Sequence, residues 1–247
     1  MRTLSLFLAL IASPLFAAGW GTLTAAFEYD GKPPVLEPID VRGKADKAPP
    51  NDSFTIGPKN ELANVVLYLP TQKGKDVPWH RDVAKAIPDT VTVNIEERRF
   101  EPKIAVVAPT RLLRFVNHDP VAVIPVLYVM KNAPGCDALS ANGTADFHVR
   151  LAEPVPARIG CTIHPWMSAY LIANSNPYVA VSDTAGRIKL EHVPAGEWEF
   201  VLWHGELVKR ARIDGVDTEL VRGRIKVTIE DGKTTDLGVV RFVARPL

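Results

Sequence analysis

The sequence predicts an all-β protein of sandwich or barrel type, and three observations carry that prediction. Short runs rich in Val, Ile, Leu and Phe recur at 64–69, 90–95, 104–107 and 112–116, each bounded by Gly, Pro, Asp or Asn. Such spacing is that of strands separated by turns. The 247 residues include 21 prolines, and proline lacks an N–H and clashes inside a helix. No long segment repeats its apolar residues at a 3.6-residue period, so 82–86 is the best candidate for a helical turn or two.

Taken in order, residues 1–18 carry Arg2, an apolar run over 4–11, and then small residues up to Ala17-Ala18. This is the three-part layout of a secretory signal peptide, so a periplasmic or secreted protein is expected. No other stretch approaches the roughly 20 apolar residues a membrane helix needs, so no membrane span is expected. Residues 22–29 alternate apolar and polar and end at Asp30-Gly31, a pair suited to a hairpin turn. A polar, proline-rich loop over 33–58 follows, then a strand at 65–69 and a second linker from Pro70 to about Pro88. The strands of 90–173 read as one unit. From Tyr178 a different pattern begins, with strands at 179–181, 188–190, 198–203, 224–229 and 237–243, and turns at Asp183 to Gly186, Pro194-Ala195-Gly196 and Asp231-Gly232.

The formal net charge of +1 argues against nucleic acid as a partner, because phosphate binding needs a concentrated positive field. We find no Ser-His-Asp arrangement recognisable by spacing, no Gly-rich phosphate loop and no paired carboxylates, so enzymatic activity is not expected. Glu96-Glu97-Arg98-Arg99 reads as a solvated face.

The stretch Cys161-Thr162-Ile163-His164-Pro165-Trp166-Met167 is where the chemistry concentrates. A copper ion that changes oxidation state needs a thiolate, imidazoles and a weak axial thioether. One short loop at a strand end supplies Cys161, His164 and Met167. Pro165 fixes a backbone torsion beside the imidazole, and Trp166 offers an apolar cover that keeps water away. The only other cysteine is Cys136. A disulfide between Cys136 and Cys161 is the competing reading in an oxidising compartment, and it excludes a thiolate ligand at Cys161.

This loop resembles the ligand loop of the amicyanin-type cupredoxins, Cys-Thr-Pro-His-Pro-Phe-Met. The wider chain resembles exported bacterial proteins described as methylamine-utilisation proteins. That likeness rests on Phe100-Glu101-Pro102, the Cys161 to Met167 loop, Pro177 to Gly186, Pro194 to Gly196 and Trp203-His204. It implies a cupredoxin-like Greek-key barrel over 88–175. Asp30-Gly31, the Asp183 to Gly186 turn and the Pro194 to Gly196 turn resemble a transthyretin-type, carboxypeptidase-regulatory-like β-sandwich. That sandwich would comprise 19–70 and 177–247, with the barrel inserted into it.

The likeness departs at two places. Val123 stands where the cupredoxins carry their first histidine, and Arg98 where the family carries a cysteine. His118, five residues before Val123, is the candidate replacement ligand. His148 reads as a strand-surface residue, and His80, His192 and His204 as surface or packing residues. The resemblance implies one copper ion held by Cys161, His164 and Met167, with or without His118. The expected function is electron transfer or copper carriage with a periplasmic redox or copper-handling partner. The rival reading is a partner-binding or scaffold module whose copper site is degenerate.

Overall fold

A computed structural model describes residues 19–41, 43, 48–71, 76–135 and 137–247. The expected signal segment, 1–18, lies outside them. Among the described residues no helix is long and apolar enough to cross a membrane.

The chain is all-β, as its pattern predicts. In order, its strands are β1 (Trp20–Tyr29), β2 (Val66–Tyr68), β3 (Thr90–Glu96), β4 (Arg99–Glu101), β5 (Ile104–Val106), β6 (Arg111–Asn117), β7 (Pro125–Tyr128), β8 (Thr144–Val149) and β9 (Ala157–Cys161). There follow β10 (Ser168–Ile172), β11 (Val179–Val181), β12 (Arg187–Pro194), β13 (Gly196–His204), β14 (Glu206–Leu207), β15 (Arg210–Ile213), β16 (Val216–Glu219), β17 (Arg224–Ile229) and β18 (Thr234–Phe242). The expected helical turn is α1 (Arg81–Ala86), which buries no residue.

Strands β3 to β10 form two four-stranded sheets, ordered β4-β3-β6-β8 and β5-β10-β9-β7. Because β3 runs parallel to β6 and β5 parallel to β10, the connections cross between sheets in Greek-key fashion, and the two sheets close on one apolar core as a barrel. The Phe100-Glu101-Pro102 segment is the corner. Pro102 falls between β4 in one sheet and β5 in the other, a position where its missing N–H costs no ladder bond. The period-2 pattern sets which faces point inward: along β8, Ala145, Phe147 and Val149 are buried while Thr144, Asp146 and His148 are exposed. His148 is thus the surface residue it reads as. Their inward neighbours include Phe100 and Phe115, whose rings meet edge to face at 6.0 Å, a geometry favoured by the ring quadrupole.

The remaining strands build a second sandwich, with sheets β12-β1-β18-β15-β16 and β11-β2-β13-β14, β17 pairing with β13. Its core draws Leu23, Phe27 and Leu67 from the early chain together with Tyr178, Phe200 and Phe242 from the late chain. β1 alternates strictly, burying Leu23, Ala25 and Phe27. It pairs with β12 antiparallel and with β18 in parallel. Asp30-Gly31 therefore ends the strand without closing the hairpin its sequence predicts, since both partners come from the far end of the chain. The Asp183 to Gly186 turn does form. Asp183 accepts from the Ala185 and Arg187 amides at 2.9 Å, and Gly186 takes φ +70 where a Cβ would run into the Phe27 carbonyl.

The two sandwiches share a third apolar cluster that joins Ile104 and Ile172 to Val66, Tyr68, Val201 and Trp203. The outgoing and returning chain meet at Leu69. The Asn174 and Asn176 side-chain amides both donate to the Leu69 carbonyl, at 3.0 and 2.8 Å. Beside the joint, Lys103 is 5% exposed and pairs with Asp52 at 2.8 Å, while also donating to the Ser168 carbonyl at 3.0 Å. A buried ammonium needs such partners.

Candidate metal centre

Strand β9 ends at Cys161, and the loop to β10 spans the ligand motif. Cys161 is a buried, free thiol. Its sulfur accepts the His164 amide at 3.4 Å and lies 3.8 Å from His164 Nδ1. The loop is a tight turn, because the Met167 amide donates to the His164 carbonyl at 3.0 Å. That closure turns all three donors into the barrel: Cys161 is 8% exposed, His164 3% and Met167 1%. Trp166 leans over the imidazole with ring centroids 5.2 Å apart, while Thr162 and Pro165 face solvent. The alternative disulfide involves Cys136, which lies outside the described residues.

The neighbouring wall is apolar on the Val123 side. Thr162 donates its amide to the Ile124 carbonyl at 3.2 Å, and Pro125 pairs with Cys161 across β7 and β9. Val123 sits just before them, fully buried in the barrel core and bridged to Leu139. His118 is exposed at the end of β6. Its amide donates to the Ile95 carbonyl at 2.8 Å, and its Nε2 meets the Asn94 side-chain oxygen at 3.1 Å. The structure brings Cys161, His164 and Met167 to one loop and ties His118 to β3 of the other sheet.

Two features escaped sequence reasoning. His80 and His192, read there as unrelated surface or packing residues, stack with ring centroids 3.9 Å apart and planes 4° from parallel. With Asp82 they form the only trio of His, Cys, Asp or Glu ligand atoms within 4.8 Å of one another among the described residues. No local spacing signals a pair from such distant parts of the chain. The second is Glu97-Arg98, read as a solvated face. Both residues take positive φ, 50° and 57°, in the two-residue turn between β3 and β4, and the Arg98 amide donates to the buried Asp119 carboxylate at 2.7 Å. The usual signal for this turn is Asn-Gly, and it is missing.

No family model matches the chain, and no curated protein matches it. Among solved structures, it is similar to amicyanin from Paracoccus versutus, with 15% identity over 44% of this chain and 97% of that one at a TM-score of 0.31. It is likewise similar to a copper-containing nitrite reductase from Thermus scotoductus, with 19% identity over 42% of this chain and 25% of that one at a TM-score of 0.32.

Proposed function

We propose that this chain is an exported copper-binding protein that carries a single Cu(I) ion on Cys161, His164 and Met167. The observation that carries the reading is the donor geometry itself. A free thiol lies 3.8 Å from an imidazole nitrogen, and a thioether 1% exposed closes the same turn. Thiolate, thioether and imidazole suit Cu(I), which accepts low coordination and sulfur donors. When bound, the ion would supply one exchangeable electron or itself be the cargo. Val123 offers no nitrogen and His118 is engaged with Asn94, so Cu(II) lacks its second imidazole. The donor set thereby favours carriage over rapid electron transfer.

In this reading the chain's own residues do three things. The His164 amide, donating to Cys161 Sγ, fixes the position of the sulfur in the turn. Trp166 and the barrel core exclude water and oxidants from it. Thr162 and Pro165, exposed at the rim, are the place where a second periplasmic copper-handling protein would approach. The barrel of 88–175 then serves as the copper unit, inserted into a sandwich made of 19–70 and 177–247. The segregated cores and the joint at Leu69 support that division.

A Cu(I) competition titration against a chromophoric chelator tests this. One equivalent should bind to the native chain and be lost in Cys161→Ser. Failure of the native chain to compete, or binding indifferent to Cys161→Ser, would overturn the assignment. Recovery of the protein with Cys136 and Cys161 disulfide-bonded would also overturn it.

A further inference from the structure

We propose that His80, Asp82 and His192 form a second metal site, open to solvent, that takes a divalent first-row cation such as Zn(II). It is independent of the copper reading, since it uses neither the barrel nor a sulfur donor.

The residues reach one another through two specific devices. His192 lies in β12 where the register with β1 shifts, Gly21 pairing with Val193 but Leu23 with Leu190. The bulge leaves His192 at φ 55, a left-handed conformation uncommon for a non-glycine residue. A bulge of this kind re-aims one side chain out of the sheet's alternation, here onto His80. The other half is brought in by the linker before α1. Tyr178, buried in the sandwich core, donates its hydroxyl to the Pro78 carbonyl at 2.9 Å and accepts the His80 amide at 3.3 Å. The edge of the Trp20 ring packs on His80 at 5.0 Å. Backbone strain on one strand and a hydroxyl clamp on a distant linker thus converge on a single pair of rings.

The chemistry of the trio suits a borderline cation. Two imidazoles and one carboxylate are ligands that Zn(II) and Cu(II) accept and that Mg(II) and Ca(II) prefer far less. His80 Nδ1 and Asp82 Oδ2 are 3.8 Å apart; a tetrahedral ion with bonds of about 2.0–2.2 Å separates its ligand atoms by roughly 3.4 Å. His80 Nδ1 already points its lone pair at this position, where it accepts the Asp82 amide in a long 3.3 Å helix cap. A neutral imidazole has one such lone pair, so a cation takes the place of that cap and leaves the proton on Nε2. Ligand lone pairs lie in the ring plane, so loading must splay the two parallel rings apart. Partial exposure of both histidines and the exposed Asp82 carboxylate leave an entry path and room for water ligands.

The test uses the full chain carrying Cys161→Ser, which removes the sulfur site, titrated with Zn(II) against a chromophoric chelator. One equivalent should bind, and Mg(II) in large excess should not displace it. His192→Asn and Asp82→Asn should each weaken binding by at least about tenfold, the lower end of what even an outer partner of a metal ligand contributes. Asparagine tolerates left-handed backbone at position 192, and position 82 is exposed, so at least one of the two variants keeps its fold. The His80 and His192 ring-proton resonances should shift together at one equivalent as the stack opens. Absence of stoichiometric Zn(II) binding, or affinity unchanged in a folded His192→Asn or Asp82→Asn chain, would overturn the site and leave the stacked rings as packing.

Discussion

The Cys161 loop and the His80–His192 junction place histidine in opposite circumstances. His164 is 3% exposed, on a turn whose every donor comes from seven consecutive residues. His80 and His192 are half-exposed and come from a linker and a bulge far apart in the chain. The first is dry, sulfur-bearing and fixed by strand ends; the second is wet, sulfur-free and assembled by the fold. The contrast teaches that donor softness here follows burial: the thiol and thioether sit where water and oxidants are excluded, and the carboxylate where hydration costs least.

The largest expected effect separates the two directly. Cys161→Ser should lower Cu(I) affinity by at least a hundredfold, because a structural site worth about 10–16 kcal/mol over four donors contributes about 3 kcal/mol per donor. Zn(II) affinity at the junction should not change. A chelator titration of both ions on both chains reads this, and a joint loss would mean the two regions are one site.

A second buried histidine isolates burial from ligation. His204 is 1% exposed, stacked on Phe54, with its Nδ1–H donated to the Arg245 carbonyl at 2.8 Å. Desolvation outweighs that bond and pushes its pKa down to about 4. The unfolded chain then takes up the proton first. The stability that neutral His204 permits is complete above pH 6.5 and falls as pH drops from about 6.5 to about 4, by roughly 3 kcal/mol. Urea midpoints across that window should show the fall, and His204→Gln should flatten it.

A smaller change sharpens the contrast from the barrel side. Val123→His puts an imidazole next to Cys161 at a cost of about 1–3 kcal/mol for the buried polar ring. It should confer Cu(II) binding with a visible thiolate charge-transfer band; a colourless protein that still binds only Cu(I) would mean that position 123 does not face the loop. The smallest effect concerns strain. Arg98→Gly should raise stability by about 1 kcal/mol, since glycine takes left-handed φ without penalty, and leave both metal affinities alone. His192→Gly should relieve similar strain while abolishing Zn(II) binding, and differential scanning calorimetry with and without Zn(II) distinguishes the two.

What the sequence conveyed follows physical range. Alternation along β1, the short apolar runs, the proline content and the turn residues are local, and they carry the all-β class and the positions of β1 to β3, β5, β6, β11 to β13, β17 and β18. The Cys161 to Met167 loop is legible for the same reason, its donors being neighbours in the chain. Partner choice is not local. Nothing near Asp30-Gly31 says that β1 will pair with β12 and β18, and nothing near His192 says that a bulge will aim it at His80. The Glu97-Arg98 turn has no local signal because its support, the Asp119 carboxylate, arrives from the loop after β6.

The two asparagines at the joint have a consequence for how this molecule tolerates change. Both donate to one carbonyl, that of Leu69, so the outgoing and the returning chain are pinned side by side there. For a segment whose ends already meet, doubling its length adds only about 0.6 kcal/mol of closure entropy. Exposed loops of β3 to β10 that lie away from the Pro78 to Asp82 linker, Lys103 and the shared Ile104 and Ile172 cluster can therefore gain or lose residues at little expense to the strands outside them. Length variation in those loops is thereby decoupled from the pairing of β1, β2 and β11 to β18.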